Sequence, residues 1–274
     1  MFLVLGQPRS GTTLVAQCLN GHPELVVPDE TDVVIPLAFL VDRIEDPGLG
    51  RSMAADLVTN SRRFAGSLGE YLTAEQAAEA IRTAPWTLRG VLDALYGAVA
   101  EAGGGRLGGD KSPNDLKFSR ILLTAGLFGE GLPVIHVVRD VRDVMASFQD
   151  LGWSNGVPEG LARLWVANNL MVHTNVPRRG SPYLLVRYED VVADPEGQFR
   201  AMCEHLGVAF DPEMLSDERR YQQFGSHQAI GQHARTYQPI TATRIGTHRE
   251  KFDPDTIARI SALARDGLDA FGYE

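Results

Sequence analysis

The chain has 274 residues, 44% apolar and 22% charged, a size and balance that suit one large domain or two small ones with a full core. Its net charge of −9, from 26 basic and 35 acidic residues, speaks against a general nucleic-acid partner and requires any anionic ligand to be held by local positive charge. No stretch approaches the roughly 20 apolar residues of a membrane span, and Cys18 and Cys203 make no disulfide framework. No basic leader precedes the first apolar run, so the expected compartment is cytoplasmic.

In chain order, "MFLVLG" predicts a strand, "GQPRSGTT" a glycine loop, and "TTLVAQCLN" a helix stopped by Gly21 and Pro23. Cys18 falls on the apolar stripe of that helix and reads as a buried thiol. A strand, glycine loop and helix in this order aim unpaired backbone N–H groups at an anion. The helix dipole adds positive potential there. Ser10, Gly11, Thr12 and Thr13 occupy this N-terminus, and Arg9 with two hydroxyls adds charge-assisted bonds suited to phosphate. The lysine of the usual triphosphate loop is missing, so the loop specifies a phosphate without specifying ATP.

A short strand, "ELVV", leads into "VVPDETDVVIP", which sets Glu30 and Asp32 on the same side. Glu30 reads equally as a helix-capping acid or as a general base, which must lie within hydrogen-bond reach of an acceptor hydroxyl. Residues 36–105 predict a helical block, with Leu88, Val91, Leu92, Leu95 and Val99 on one helix face. The block reads as an insertion covering the site. Trp86, Tyr71, Tyr96 and Phe64 are its candidate acceptor contacts, although Trp86 and Tyr96 lie at helical spacing and read rather as core. "AGGGRLGGD" at 102–110 predicts a flexible loop. Lys111 follows it at an expected strand end, either as an ordinary loop lysine or as a cation for a leaving oxygen.

"LPVIHVVRD" predicts a strand buried on both faces, with a helix from Val141. Arg139 and Arg142 at its carboxyl end suit a second phosphate, with Ser147 eight residues beyond Arg139. Asp140 and Asp143 either orient those guanidinium groups or are plain first-turn residues. "EGLARLWVANNLMVHTN" predicts a helix and "SPYLLVRYED" a third buried strand. "DPEGQFRAMCEHLG" predicts a helix capped by Asp194, with Pro195 at its first position and Gly207 at its end. "DPDTIARISALARDGLDAFG" repeats that start with Asp253 and Pro254. Buried strands alternating with helices predict an α/β fold, a central parallel sheet flanked by helices on both faces. Ligands of such sheets bind at the strand carboxyl ends. The seven histidines show no zinc-type spacing, and there is no nucleophile elbow.

Pro8-Arg9-Ser10-Gly11-Thr12-Thr13, Lys111 before a serine, Arg139 with Ser147, and Tyr188 in "YED" follow one another across residues 6–190. Together they resemble the sulfotransferases that use 3′-phosphoadenosine 5′-phosphosulfate. The resemblance implies one sulfotransferase domain over 1–274, with a P-loop nucleotide-binding architecture. It implies that Arg9, Ser10, Gly11, Thr12 and Thr13 take the 5′-phosphosulfate and that Arg139 and Ser147 take the 3′-phosphate. It further implies that Tyr188 lies against the nucleotide and that Lys111 touches the transferred group. In the tyrosylprotein and carbohydrate branch the base is a glutamate in "EET", at the distance past the loop serine where Glu30 stands here in "DET". The histidine base of the small-molecule branch is replaced by Pro113. The arginine that follows "EET" is here Asp32, which argues against a protein tyrosine acceptor. Arg244, Gly246 and Thr247 in "ATRIGTHREK" resemble the segment that closes over the 3′-phosphate.

The implied reaction is metal-free, in-line sulfuryl transfer to a hydroxyl of a small metabolite, natural product, glycan or glycolipid. Glu30 would be the base, with Lys111, Thr12 and Thr13 stabilising the developing charge and adenosine 3′,5′-bisphosphate as the product. One competing reading is a P-loop small-molecule kinase using ATP and magnesium, with Asp110 as its metal carboxylate. Another is a non-catalytic nucleotide-binding regulator in which Glu30 only caps a helix.

Overall fold

The computed structural model describes residues 1–152, 158–219 and 239–274. Five parallel strands form its sheet: β1 (Phe2–Gly6), β2 (Leu25–Val26), β3 (Leu107–Asp110), β4 (Val134–Val138) and β5 (Tyr183–Arg187), in the order β2-β3-β1-β4-β5. Central β1 pairs with β4 from Leu3↔Val134 to Gly6↔Val137 and with β3 at Phe2↔Gly109 and Leu3↔Asp110. The chain moves to one side of β1 for β2 and β3, then to the other for β4 and β5. The carboxyl ends of β1 and β4 therefore flank the switch in strand order, where ligands of open α/β sheets bind.

Side chains alternate across β1, as a strand requires. Phe2 and Val4 pack with α1 (Thr12–Asn20) and α10 (Pro195–Leu206). Leu3 and Leu5 face a larger cluster built by α2 (Val34–Arg43), α3 (Pro47–Thr59), α4 (Ala74–Thr83) and α5 (Leu88–Ala102). The helices of 36–105 thus share one core with the sheet. α6 (Ser119–Thr124) adds Leu122 and Leu123 to that core. A third cluster joins Val138 at the end of β4 to α7 (Val141–Asp150), α8 (Pro158–Arg178) and α12 (Pro254–Phe271) around buried Trp165. α9 (Tyr188–Ala193) follows β5 directly, and the short α11 (His248–Lys251) precedes α12.

Local chemistry sets the helix starts. Asp46, Thr73, Thr87, Asp194 and Asp253 each accept a backbone N–H of the first turn, and Thr73 forms a reciprocal capping box with Gln76. Cys18 and Cys203 are both buried and not disulfide-bonded. Among the described residues, no helix is long and apolar enough to cross a membrane.

Two elements differ from expectation. The glycine-rich run read as a flexible loop contains β3. A Cβ on Gly108 would lie 2.1 Å from the Tyr96 carbonyl oxygen, and one on Gly109 would lie 2.3 Å from Phe2 Cζ. These glycines let a strand pass between α5 and β1, so they serve close packing rather than flexibility. At the other edge, β5 stops at Arg187, and Tyr188 opens α9 instead of continuing the strand.

Candidate functional site

β1 ends at Gly6, where a Cβ would meet Val137 O and Thr12 Cγ2, each at 2.6 Å. The loop then turns back on itself, Ser10 N donating to Gln7 O at 3.0 Å. Arg9 (φ 74°) and Gly11 (φ 92°) both take left-handed backbone. For an arginine that conformation is uncommon, and such residues gather at ligand sites. Gly11 is required for a second reason, because a Cβ there would lie 2.5 Å from the Tyr188 ring. The Ser10 hydroxyl and Gln7 Oε1 are buried without a hydrogen-bond partner, which is rare for buried polar atoms.

Three arginines meet beside the end of β4: Arg139 after the strand, Arg9 from the loop and Arg244 from the segment before α11. Arg139, 6% exposed, donates from Nη1 to Arg9 O at 3.2 Å and from Nη2 to Arg244 O at 2.6 Å, and its Nε has no partner. Its guanidinium lies 4.5 Å above the Tyr188 ring centre, a cation–π contact. Arg9 Nε donates to Ser147 Oγ at 3.1 Å. Burial, then the nearby charges of Arg139 and Arg244, push the Arg9 guanidinium below its ordinary value. Like charges crowded in this way, with buried unpartnered donors, form a positive field suited to a multiply charged anion.

Arg142 does not join them. Its guanidinium is taken by Asp140 at 2.7 Å and by the Glu274 carbonyl at 2.5 Å. The expectation that Arg142 stands with Arg139 is therefore corrected: Asp140 holds Arg142, and Arg9 and Arg244 are the arginines near Arg139. Asp140 both orients the Arg142 guanidinium, one of the two roles considered for it, and caps α7 by accepting from Arg142 N at 2.8 Å.

Asp143 does more than occupy a first turn. Its buried carboxylate accepts from Gly246 N at 2.7 Å, His248 N at 2.9 Å, His248 Nδ1 at 2.7 Å and Thr247 Oγ1 at 3.3 Å. Burial alone would raise this carboxyl. The hydrogen bonds from His248 and Gly246, with the Arg139 charge, outweigh it and hold the group below its usual range. The donors of Gly246 and Thr247, read as phosphate contacts, are engaged by Asp143. Arg244 offers its carbonyl to Arg139, and its guanidinium pairs with Asp150 at 3.5 Å.

The second half of the site lies past β2 and β3. Lys111, 2% exposed, donates to Glu30 Oε1 at 3.0 Å and lies 3.7 Å from Asp29 Oδ1. Arg63 reaches Glu30 Oε2 at 3.5 Å and Asp32 Oδ2 at 2.6 Å. Glu30 is thus an ion-paired side chain, not a helix cap, and α2 starts at Val34 with no side-chain cap. Arg63 was not singled out by the sequence, where it is one of many exposed arginines. Only folding brings it to Glu30. Asp110, the magnesium carboxylate of the kinase reading, is buried under three hydroxyls, from Thr31, Tyr96 and Ser112. Among the described residues, no group of three or more histidine, cysteine or acidic side chains is arranged to hold a metal.

A cavity of about 640 Å³ joins the two halves. Arg9, Thr12, Thr13, Glu30 and Arg63 line its polar end, and Phe118, Phe148, Leu161 and Leu164 its apolar wall. Of the block 36–105, expected to cover the acceptor side, Arg63 lines this cavity. Tyr96 is fully buried. Trp86 packs on Gly50 and donates to Ile44 O at 2.8 Å. Phe64 packs on the helical core, and Tyr71 lines a separate cavity with Asn20 and Arg219.

A glycine loop between strand and helix, at the switch point of a parallel sheet flanked by helices, defines a P-loop α/β protein. The chain belongs to the sulfotransferase family, whose model matches residues 2–212. It resembles the solved sulfotransferase domain of the Synechococcus PCC 7002 olefin synthase, with 26% identity and a TM-score of 0.68 over 100% of this chain and 94% of that one. It also shares the fold of the sulfotransferase domain from the curacin biosynthetic pathway, with 23% identity and a TM-score of 0.58 over 100% and 98% of the two chains. No curated protein matches the sequence.

Proposed function

We propose that this protein, as one sulfotransferase domain over 1–274, transfers a sulfuryl group from 3′-phosphoadenosine 5′-phosphosulfate to an acceptor hydroxyl. The observation that carries this reading is the convergence of Arg9, Arg139 and Arg244 beside the N-terminus of α1. Two adjoining anion sites, one of backbone N–H groups and one of guanidinium groups, suit a donor with phosphates at both ends of its ribose. The unpartnered Ser10 hydroxyl and Arg139 Nε are fitting contacts for the 5′- and 3′-groups. Ser147, beside Arg9, completes the 3′-corner, and Tyr188 packs between loop and Arg139 where the nucleotide would lie.

In this reading Glu30 takes the acceptor proton as the hydroxyl oxygen forms its bond to sulfur. The bond from sulfur to the 5′-phosphate oxygen breaks in line, and adenosine 3′,5′-bisphosphate departs. Lys111, beside Glu30, and Thr12 and Thr13, on the cavity wall, stabilise the charge that builds on the leaving and sulfuryl oxygens. The positive field needs no metal to supply it. The apolar wall supports an acceptor that carries its hydroxyl on a substantially apolar body, and the likeness to an olefin synthase domain supports a small biosynthetic acceptor. Two buried, unlinked cysteines accord with a reducing, cytoplasmic setting.

Thermal unfolding with adenosine 3′,5′-bisphosphate, set against ATP with magnesium, tests the donor. A ligand bound only by the native state, at 100 times its Kd, stabilises by about 2.7 kcal/mol. A raised Tm with the bisphosphate alone is expected. A raised Tm with ATP and magnesium alone would overturn the reading in favour of a kinase. Bisphosphate binding without release of product from the donor would favour a regulator.

A further inference from the structure

β2 and β3 pair over two residues only, Leu25 with Leu107 and Val26 with Gly108. Glu30 and Lys111 lie beyond the end of that ladder, yet they meet at 3.0 Å. Side chains take over where the backbone pairing stops. One oxygen of Asp110 accepts from Thr31 Oγ1 at 2.8 Å, from Ser112 Oγ at 3.3 Å and from the Tyr96 hydroxyl. Ser112 Oγ in turn accepts from Asp32 N at 3.3 Å. Thr31 is the neighbour of Glu30, and Asp110 is the neighbour of Lys111. The Thr31–Asp110 bond therefore sits one residue from each end of the Lys111–Glu30 pair.

We propose that Asp110 is a positioning residue that, through Thr31, Ser112 and Tyr96, sets the separation and direction of Lys111 and Glu30. The proposal rests on those two acting as described above. A carboxylate 1% exposed is costly to bury; here Oδ2 has no partner and Oδ1 takes all three hydroxyls, and hydroxyls converging on one oxygen fix the orientation of every segment that carries them. Those segments are the turn bearing Glu30 and Asp32, the tip of β3 bearing Lys111, and α5 behind both. Asp32, held through Ser112, takes left-handed backbone (φ 53°). That turn directs Asp32 to Arg63, which braces Glu30 from the cavity side. Tyr96, an expected core residue, serves here as a hydroxyl donor as well as packing.

Thr31→Val removes the donor with little change of shape, and Thr31→Ser keeps it. Turnover is followed as release of adenosine 3′,5′-bisphosphate from 3′-phosphoadenosine 5′-phosphosulfate, with 4-nitrophenol or water as acceptor. Misplacing a reacting group by about 1 Å costs on the order of 10²-fold, so Thr31→Val is expected to lower kcat roughly tenfold or more. The donor KM and the Kd for the bisphosphate should stay within about twofold, since neither anion site is touched, and Thr31→Ser should recover most of the rate. A crystal structure of Thr31→Val with the bisphosphate should show Lys111 and Glu30 parted beyond ion-pair distance. An unchanged kcat, an equal loss in the serine variant, or an intact pair in that crystal structure would overturn the proposal. Native turnover in Glu30→Gln would overturn the base assignment instead, and the crystal structure would still decide what holds the pair.

Discussion

Arg9 and Glu30 both line the polar end of the cavity, from segments that fold for different reasons. Arg9 is placed by a short-range event, a left-handed turn between β1 and α1. Glu30 is placed by long-range partners, Lys111 and Arg63. The contrast has a chemical consequence. In the role of base proposed for it, Glu30, hydrogen-bonded to Lys111 and ion-paired with Arg63, acts only in the geometry those cations impose, so the side chain's length and charge both matter. Glu30→Gln keeps the shape and removes the proton acceptor. General-base catalysis contributes typically 10²–10⁴-fold, so steady-state turnover is expected to fall by about 10²-fold or more with bisphosphate affinity retained. Near-native turnover would remove Glu30 from the role. The loop residues and Arg139 were legible because each sits at a strand end that its own local sequence marks. Arg63 was not, since no pattern ties an arginine in a helical block to a carboxylate on another segment.

At the scale of elements, β3 shows how composition can mislead. Glycine runs normally mark turns, and "AGGGRLGGD" begins as one: Gly104 has φ 74°. Gly108 and Gly109 belong instead to a buried strand whose neighbours leave no room for a Cβ. At Gly108 the obstacle is backbone, the Tyr96 carbonyl, which cannot turn aside as a side-chain tip can. Gly108→Ala is therefore expected to destabilise the fold by about 1–3 kcal/mol or more, the cost of forcing extra volume into a packed site. Urea unfolding would measure it. A midpoint equal to that of the parent protein would mean that α5 can move aside. The strands with continuous apolar runs, β1 and β4, were readable because burial on both faces demands such runs. β3 buries backbone more than side chains, and hydrophobic patterning carries no record of that.

At the scale of the molecule, one buried histidine ties β4, β5 and α8 together. His136 lies between Tyr183 Oη at 2.7 Å and Asn169 Oδ1 at 2.9 Å, and Asn169 Nδ2 donates to Trp165 O at 2.7 Å. His173 Nδ1 reaches the same tyrosine at 3.1 Å. Asn169 thereby presents its oxygen to His136, which donates from Nε2 and accepts the tyrosine proton at Nδ1. The network is complete with His136 neutral, and burial pushes its pKa down to about 4. An unfolded histidine titrates near 6.5. Between these values the unfolded chain binds the proton and the folded one does not, so stability rises with pH across this window. Acidification from about pH 6.5 to about pH 4 is expected to remove about 3 kcal/mol. Denaturation at a series of pH values would show the slope, and His136→Gln should flatten it. A parent protein whose stability is constant over that range would contradict the assignment.

The sequence by itself determined the features whose physics is short-range. These are the glycine loop that opens a helix N-terminus, the caps that start helices, and the apolar runs of doubly covered strands. They were enough to place Arg9 and Arg139 at strand carboxyl ends, and the family resemblance added Ser147 to Arg139. Tertiary structure decided where opposite charges found each other. It gave Arg142 to Asp140 and the chain end, Gly246 and Thr247 to Asp143, and Lys111 and Arg63 to Glu30. It also drew the apolar cavity wall from α7, α8 and the turn before α6. The reason is that a buried polar group must be satisfied by whatever partner the fold brings within about 3 Å. That partner is chosen by packing across the whole chain, and no local pattern encodes it.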